Sequence, residues 1–228
     1  MTCPKILMLV LASDTDPLYC AFQIIWREYM NKHPNIECYF YKGHPELQED
    51  AFMSDKNTLL LKCSERFDTC YEKTLKAFAF FRPNFKKYDF IFRTNLSSFI
   101  VFNNYIELTK TWPKTDFCSA FIGTVDDGTQ FPAGAGFTIT PDLVERLLDE
   151  NPPHITQDDV SIGYFLKKNN IPIHPVKRTD ILLYQQYQYL GKIIEENDNI
   201  FHYRIKNIEG VRNIDIEIMK QLLNYYYT

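Results

Sequence analysis

The chain has 228 residues, enough for one domain or one domain with a small appendage and too few for an elaborate multidomain assembly. With 25 Lys and Arg against 29 Asp and Glu, the net charge is -4, which excludes a nucleic-acid role that depends on a broadly basic surface. The 45% hydrophobic and 15% aromatic content can bury a sizeable core, and 8 Gly exclude a collagen-like or linker-like polymer.

A strand is expected over Lys5 to Ala12, because its apolar run is unbroken, as in a strand buried on both faces of a mainly parallel sheet. The run is too short to span a bilayer and lacks a charged leader with a small-residue cleavage site, a combination expected of a cytoplasmic protein. Asp16 and Pro17 then supply an N-cap and a first helical position, with Leu18, Phe22, Ile25, Trp26 and Tyr29 at helical spacing. Strands are expected at Ile36 to Tyr41 and Leu59 to Cys63, and a helix over Glu65 to Phe81. Alternating strands and helices define the α/β class.

Tyr88 to Arg93 reads as a central strand running into polar Thr94-Asn95-Leu96-Ser97-Ser98, after which Phe99 to Asn103 reads as another strand. Further strands are expected at Phe117 to Gly123 and Gly136 to Thr140, and helices at Pro141 to Glu150 and Gln157 to Lys168. Asp180 to Asp198 is rich in Tyr and Gln and weakly patterned. No internal repeat or low-complexity linker divides the chain, so a single domain over residues 1–228 is expected.

Cys3, Cys20, Cys38, Cys63, Cys70 and Cys118 form no Cys-x-x-Cys pair and no zinc-finger spacing. They are expected to be small buried hydrophobes in a reducing compartment. Asp158 and Asp159 precede a helical pattern, where acids meet the positive end of the helix dipole, and a plain helix start accounts for them equally well. Gly134-Ala135-Gly136 precedes an expected strand, as a tight turn or a close approach of backbone to ligand. Two other acidic pairs, Asp14 with Asp16 and Asp126 with Asp127, are explained by capping and turn chemistry. Alternation places His202, Arg204 and Lys206 on one face of an extended segment, either a solvated face or a holder for a metal-bound diphosphate.

Four blocks in order resemble the nucleotide-sugar-dependent glycosyltransferases of the GT-A fold, especially the inverting beta-1,3-glycosyltransferase and fringe family. Lys73-Thr74-Leu75 resembles the helix before the family's metal strand, and Tyr88 through Ile100 resembles the strand carrying its Asp-x-Asp. Gly134 through Leu143 resembles its glycine-rich acceptor-side segment, and Asp158 through Tyr164 its catalytic acidic block. The match covers roughly residues 60 to 207, and the Arg-Thr-Asn-Leu-Ser-Ser version also resembles glycosyltransferases of large DNA viruses that modify their own capsid glycans.

The resemblance implies a Rossmann-like GT-A domain with a mixed, mostly parallel central sheet flanked by helices. It also implies transfer of a sugar from a nucleotide diphosphate donor, UDP or GDP before CMP, to a hydroxyl of a glycan or glycoprotein acceptor. One of Asp158 and Asp159 would be the general base. Lys73, Arg93, Thr94, Asn95, Gly134, Ala135, Gly136, Arg204 and Lys206 would contact the donor, with Ser13 and Asp14 on its nucleoside. A divalent ion, Mn²⁺ or Mg²⁺, would rest on Asn95, Ser97 and His202. Asn95 and Ser97 stand where the family has carboxylates, and neutral oxygens bind such an ion more weakly. A non-catalytic sugar-nucleotide or glycan-binding domain would account directly for the missing carboxylates. A nucleotidyltransferase would need a glycine-rich phosphate loop after the first strand, which Ser13 to Pro17 does not supply.

Overall fold

The structure is a computed structural model and describes residues 3–152, 154 and 157–228. β1 (Ile6–Leu11) is buried along its length because the sheet is covered on both sides. Ile6, Met8 and Val10 enter one core with Phe22, Trp26 and Tyr29, whereas Leu7 and Leu9 enter the other with Phe78 and Leu147. α1 (Pro17–Tyr29) begins where the sequence places it: Asp16 Oδ1 accepts from the Leu18 N–H at 2.8 Å. Its Trp26 Nε1 donates to the Leu96 carbonyl at 3.2 Å, tying the helix to the polar break after the central strand.

β2 (Ile36–Gly43) and β4 (Thr58–Leu61) match expected strands, while β3 (Ala51–Asp55) carries no apolar alternation because it is a largely exposed edge. The helix expected from Glu65 begins later, as a 3₁₀ turn at Phe67–Thr69 followed by α2 (Cys70–Phe81). Glu65 is kept out of the helix by its carboxylate, which accepts from the Gly43 N–H and pairs with Lys73 Nζ at 2.9 Å.

β5 (Phe90–Asn95) lies beside β1 in parallel register. β6 (Ser98–Ile100) is shorter than the expected Phe99 to Asn103 strand, because Phe102 and Asn103 open α3 (Phe102–Thr109). β7 (Cys118–Thr124) pairs with β8 (Gln130–Ile139), which starts before the expected Gly136 and takes in Gly134 and Ala135 as well. α4 (Pro141–Glu150) has the expected limits, and α5 (Asp158–Lys168) follows Gln157.

β9 (Ile173–Pro175), β10 (Thr179–Ile181), α6 (Tyr184–Gln188), α7 (Leu190–Glu196), β11 (His202–Ile205) and α8 (Asn213–Tyr227) complete the chain. The weakly patterned Asp180 to Asp198 thus becomes a strand end and two short helices, each too brief to show a period. The large sheet has the order β3-β4-β2-β1-β5-β8-β7-β9, and a small one has the order β10-β11-β6. Four of the cysteines are buried as expected, but Cys3 and Cys20 are exposed; all six are free thiols. Among the described residues, no helix is long and apolar enough to cross a membrane.

Candidate active site

Strands β1, β2 and β4 step outward in one direction, and the chain then returns through α2 to lay β5 on the other side of β1. The crevice beyond the carboxyl ends of β1 and β5 is where an open α/β sheet accepts ligands. A cleft of about 440 Å³ occupies that place, walled by Leu11 to Ser13 from the end of β1 and by Asn95 to Ser97 from the end of β5.

Opposite these strand ends stands the start of α5. Asp158 and Asp159 both line the cleft and are nearly inaccessible, yet their surroundings separate them. Asp158 Oδ2 pairs with Arg93 at 2.5 Å and accepts from Thr74 Oγ1 at 3.0 Å. Thr74 accepts from the Tyr41 hydroxyl at 2.9 Å, and Arg93 Nε donates to the same Tyr41 oxygen at 3.2 Å. Burial opposes the charge on Arg93, but Asp158, Tyr41 and Asp159 outweigh it and hold its pKa above the ordinary value. Burial also pushes the Tyr41 hydroxyl up to about 12, so it stays a neutral donor.

Asp159 has no such cation of its own. Its Oδ2 accepts from the Gly134 N–H at 2.8 Å and its Oδ1 from the Val160 N–H at 2.9 Å. Burial first and the charge of Asp158 second raise its pKa, against those amides and the more distant Arg93. Gly134 serves this contact, and Gly136 a close approach to Phe92 and His202, rather than a turn. A Cβ at position 134 would stand 2.8 Å from Asp159 Oδ2, and one at 136 would stand 2.8 Å from both His202 Cε1 and Phe92 Cζ.

The third wall is cationic. Arg204 and Lys206, on and just after β11, line the cleft with no ion pair or hydrogen bond on either side chain among the described residues. Burial lowers the pKa of both, with Arg178 and Arg212 adding to the effect on Arg204, and Arg204 and Arg212 to that on Lys206. This is the state of cations gathered without enough counter-charge. Arg212 also lines the cleft, held by buried Asp215 at 2.5 Å.

Ser13, Lys73, Arg93, Asn95, Ser97, Gly134, Ala135, Asp158, Asp159, Arg204 and Lys206 are thus brought together from the expected set. Four others are not on the cleft wall. Asp14 turns to Lys42 at 2.5 Å and Gln23 at 3.0 Å. Thr94 is buried, donating to the Ala135 carbonyl at 2.6 Å, and Gly136 packs on Phe92 and His202. His202 shares the alternation of Arg204 and Lys206 but is buried, which replaces the solvated face with a covered one. Sequence reasoning missed Thr15, Tyr19, Glu65, Arg66, Phe67, Gln157 and Arg212 on the wall. Only the polar Glu65–Arg66 step ahead of an apolar helix carried a usable signal.

The expected ion donors do not fit a divalent cation. Asn95 Oδ1 already accepts from Ser97 N at 3.2 Å and Ser97 Oγ at 3.0 Å, and its Nδ2 donates to the Gly134 carbonyl. The Ser98 hydroxyl donates to Ala135 at 2.8 Å, so His202 Nε2 supplies the proton of its 3.0 Å bond to Ser98 Oγ, and the lone pair left to the ring is on Nδ1, against Gly136. Burial holds the His202 ring neutral, with Arg178 and Arg204 adding to that effect. Among the described residues, no group of three or more His, Cys, Asp or Glu could hold an ion.

Comparison with known proteins places this geometry on a known fold. No family model matches the chain, and no curated protein matches it. It is similar to the solved structure of a glycosyltransferase involved in the glycosylation of the major capsid of PBCV-1, with a TM-score of 0.54 and 13% identity over 96% of this chain and 100% of that one. The likeness is one of fold: a mixed α/β architecture with a large central sheet flanked by helices, of the Rossmann-like kind that glycosyltransferases use.

Proposed function

We propose that the chain is a nucleotide-sugar-dependent glycosyltransferase of the GT-A type, carrying a sugar from a nucleoside diphosphate to a hydroxyl of a glycan or glycoprotein. The observation that supports this reading is the placement of Arg204 and Lys206, without an ion pair among the described residues, in the same cleft as Asp159, whose carboxyl pKa is raised by burial. A departing diphosphate gains negative charge as its bond to the sugar breaks, and prepositioned cations stabilise that charge without reorganising. The acceptor hydroxyl gives its proton to Asp159 as its oxygen bonds to the anomeric carbon, and the electron pair of the broken bond leaves with the diphosphate. One displacement from the far side inverts that carbon. Asp158 is the anchor that fixes Arg93, and the nucleoside lies toward Ser13, Thr15 and Tyr19 at the end of β1.

The cations give the first test. Arg204→Ala and Lys206→Ala are each expected to weaken UDP-sugar or GDP-sugar binding by about tenfold or more, with a shallower salt dependence in calorimetry. Affinity unchanged in both variants would reject the diphosphate assignment. A nucleotide sugar that binds but is neither transferred nor hydrolysed would instead favour a binding domain, the reading that neutral Asn95 and Ser97 support.

Metal removal is the second test. Because Asn95 and Ser97 are hydrogen-bonded to each other and His202 Nε2 to Ser98, EDTA treatment of the protein is expected to leave most transfer activity in place. Complete loss on chelation, restored by manganese, would count against charge stabilisation by side chains.

A further inference from the structure

A second chamber, of about 280 Å³, opens beside the cleft and is lined by Phe67, Asp68, Tyr71, His154 and Gln157, with Cys70 between the two. Phe67, Cys70 and Gln157 line both spaces, so the chamber and the cleft share one wall. Gln157 immediately precedes Asp158 and Asp159, which sets the shared wall beside the acidic start of α5.

The chamber's chemistry is uneven in a telling way. Phe67 is 75% exposed, on the 3₁₀ turn ahead of α2. The opposite wall is a stacked pair, Tyr71 and His154, with centroids 5.3 Å apart, and the Tyr71 hydroxyl is turned away to the Pro152 carbonyl at 3.2 Å. Polar groups are few: the Gln157 amide, the His154 ring nitrogens, and Asp68, which pairs with Arg66 at 2.6 Å. Sites for small molecules combine apolar and aromatic walls with a few orienting polar groups in this way.

From this arrangement we infer that the chamber is the acceptor subsite and takes the terminal sugar unit of a saccharide acceptor, stacked on Phe67. The inference rests on the transferase reading above. A pyranose ring has one face of C–H bonds that is electropositive toward the negative face of an aromatic ring, and a rim of hydroxyls that needs a few polar partners. A polypeptide acceptor would need backbone donors and acceptors along an extended groove, and the lining offers a Gln amide, a carboxylate and the His154 ring instead. A sugar held here presents its hydroxyls across the shared wall to Asp159.

Saturation-transfer NMR of the full chain tests it with methyl β-D-glucoside, galactoside and xyloside at high millimolar concentration, alongside nucleotide-sugar calorimetry. Saturation is expected on the ring C–H protons of at least one glycoside, lost in Phe67→Ala and kept in Phe67→Trp. Because the ring is exposed, both variants should keep the wild-type thermal midpoint. Where transfer can be followed, Phe67→Ala is expected to raise acceptor KM roughly tenfold with kcat little changed. Absence of saturation for every glycoside overturns the inference, as does equal saturation in Phe67→Ala. A Ser/Thr peptide that saturates in a Phe67-dependent way while the glycosides do not also overturns it. Failure of the wild type to bind any nucleotide sugar overturns the transferase reading and with it the acceptor role, and the glycoside arm, which needs no donor, still reads the saccharide subsite separately.

Discussion

Asp159→Asn is expected to cut transfer about 10²–10⁴-fold while leaving nucleotide-sugar affinity unchanged and raising the melting temperature at neutral pH. The rate loss follows from removing the carboxylate at the start of α5 that is not already locked to a buried cation. The gain in stability follows from the same environment. Burial and Asp158 raise the folded-state pKa of Asp159 above its unfolded value, so protons bind the folded chain more tightly. Its favourable contribution is present below the ordinary carboxyl pKa and is lost as pH rises through the raised one. Asn cannot ionise and escapes that loss; its one amide oxygen can still accept from the Gly134 N–H, while the bond from the Val160 N–H is given up and offsets part of the gain.

The stability difference between variant and wild type should therefore be absent in strong acid, grow through the raised pKa and level off above it. Wild-type kcat/KM should climb through the same interval. Scanning calorimetry and a pH-rate profile check both. Near-wild-type transfer by Asp159→Asn would reduce the acidic pair to a helix start.

Arg93→Met is expected to be the most destabilising single change at the site, because it leaves the Asp158 carboxylate buried without its cation. Breaking such a pair from one side costs about 3–5 kcal/mol, whereas exposed pairs are worth at most about 1 kcal/mol. For a chain of this length that is a fall in Tm of roughly 10 °C. The lost bonds from Arg93 to the Gly134 carbonyl and to Tyr41 should loosen β8 against β5 as well. The double variant Arg93→Met/Asp158→Asn should recover much of the loss, since the uncompensated charge is its largest part. Thermal unfolding of the three variants checks this, and a loss below about 1 kcal/mol for Arg93→Met would mean that the pair behaves as a surface one.

Local pattern by itself determined much of the framework. The unbroken apolar run of β1, the Asp16 cap with Pro17, and the limits of α4 depend on residue types within a few positions of one another, so they were legible directly. So were the acidic start of α5 and the presence of Arg204 and Lys206 on one strand face, because a strand's period of two fixes which residues share a side. Edge strand β3 and the short helices α6 and α7 were not legible, since neither an exposed edge nor a single helical turn imposes a hydrophobic period.

Tertiary structure alone decided which acid is which. Asp158 and Asp159 are neighbours in sequence and equal in chemistry. One meets a guanidinium carried 65 residues away on β5, and the other meets an amide on β8. It also decided that Gly134 and Gly136 make room inside a strand rather than form a turn, and that His202 is enclosed while Arg204 and Lys206 reach the cleft. Those outcomes depend on what packs against a residue from distant parts of the chain, and the folded sheet order supplies that information.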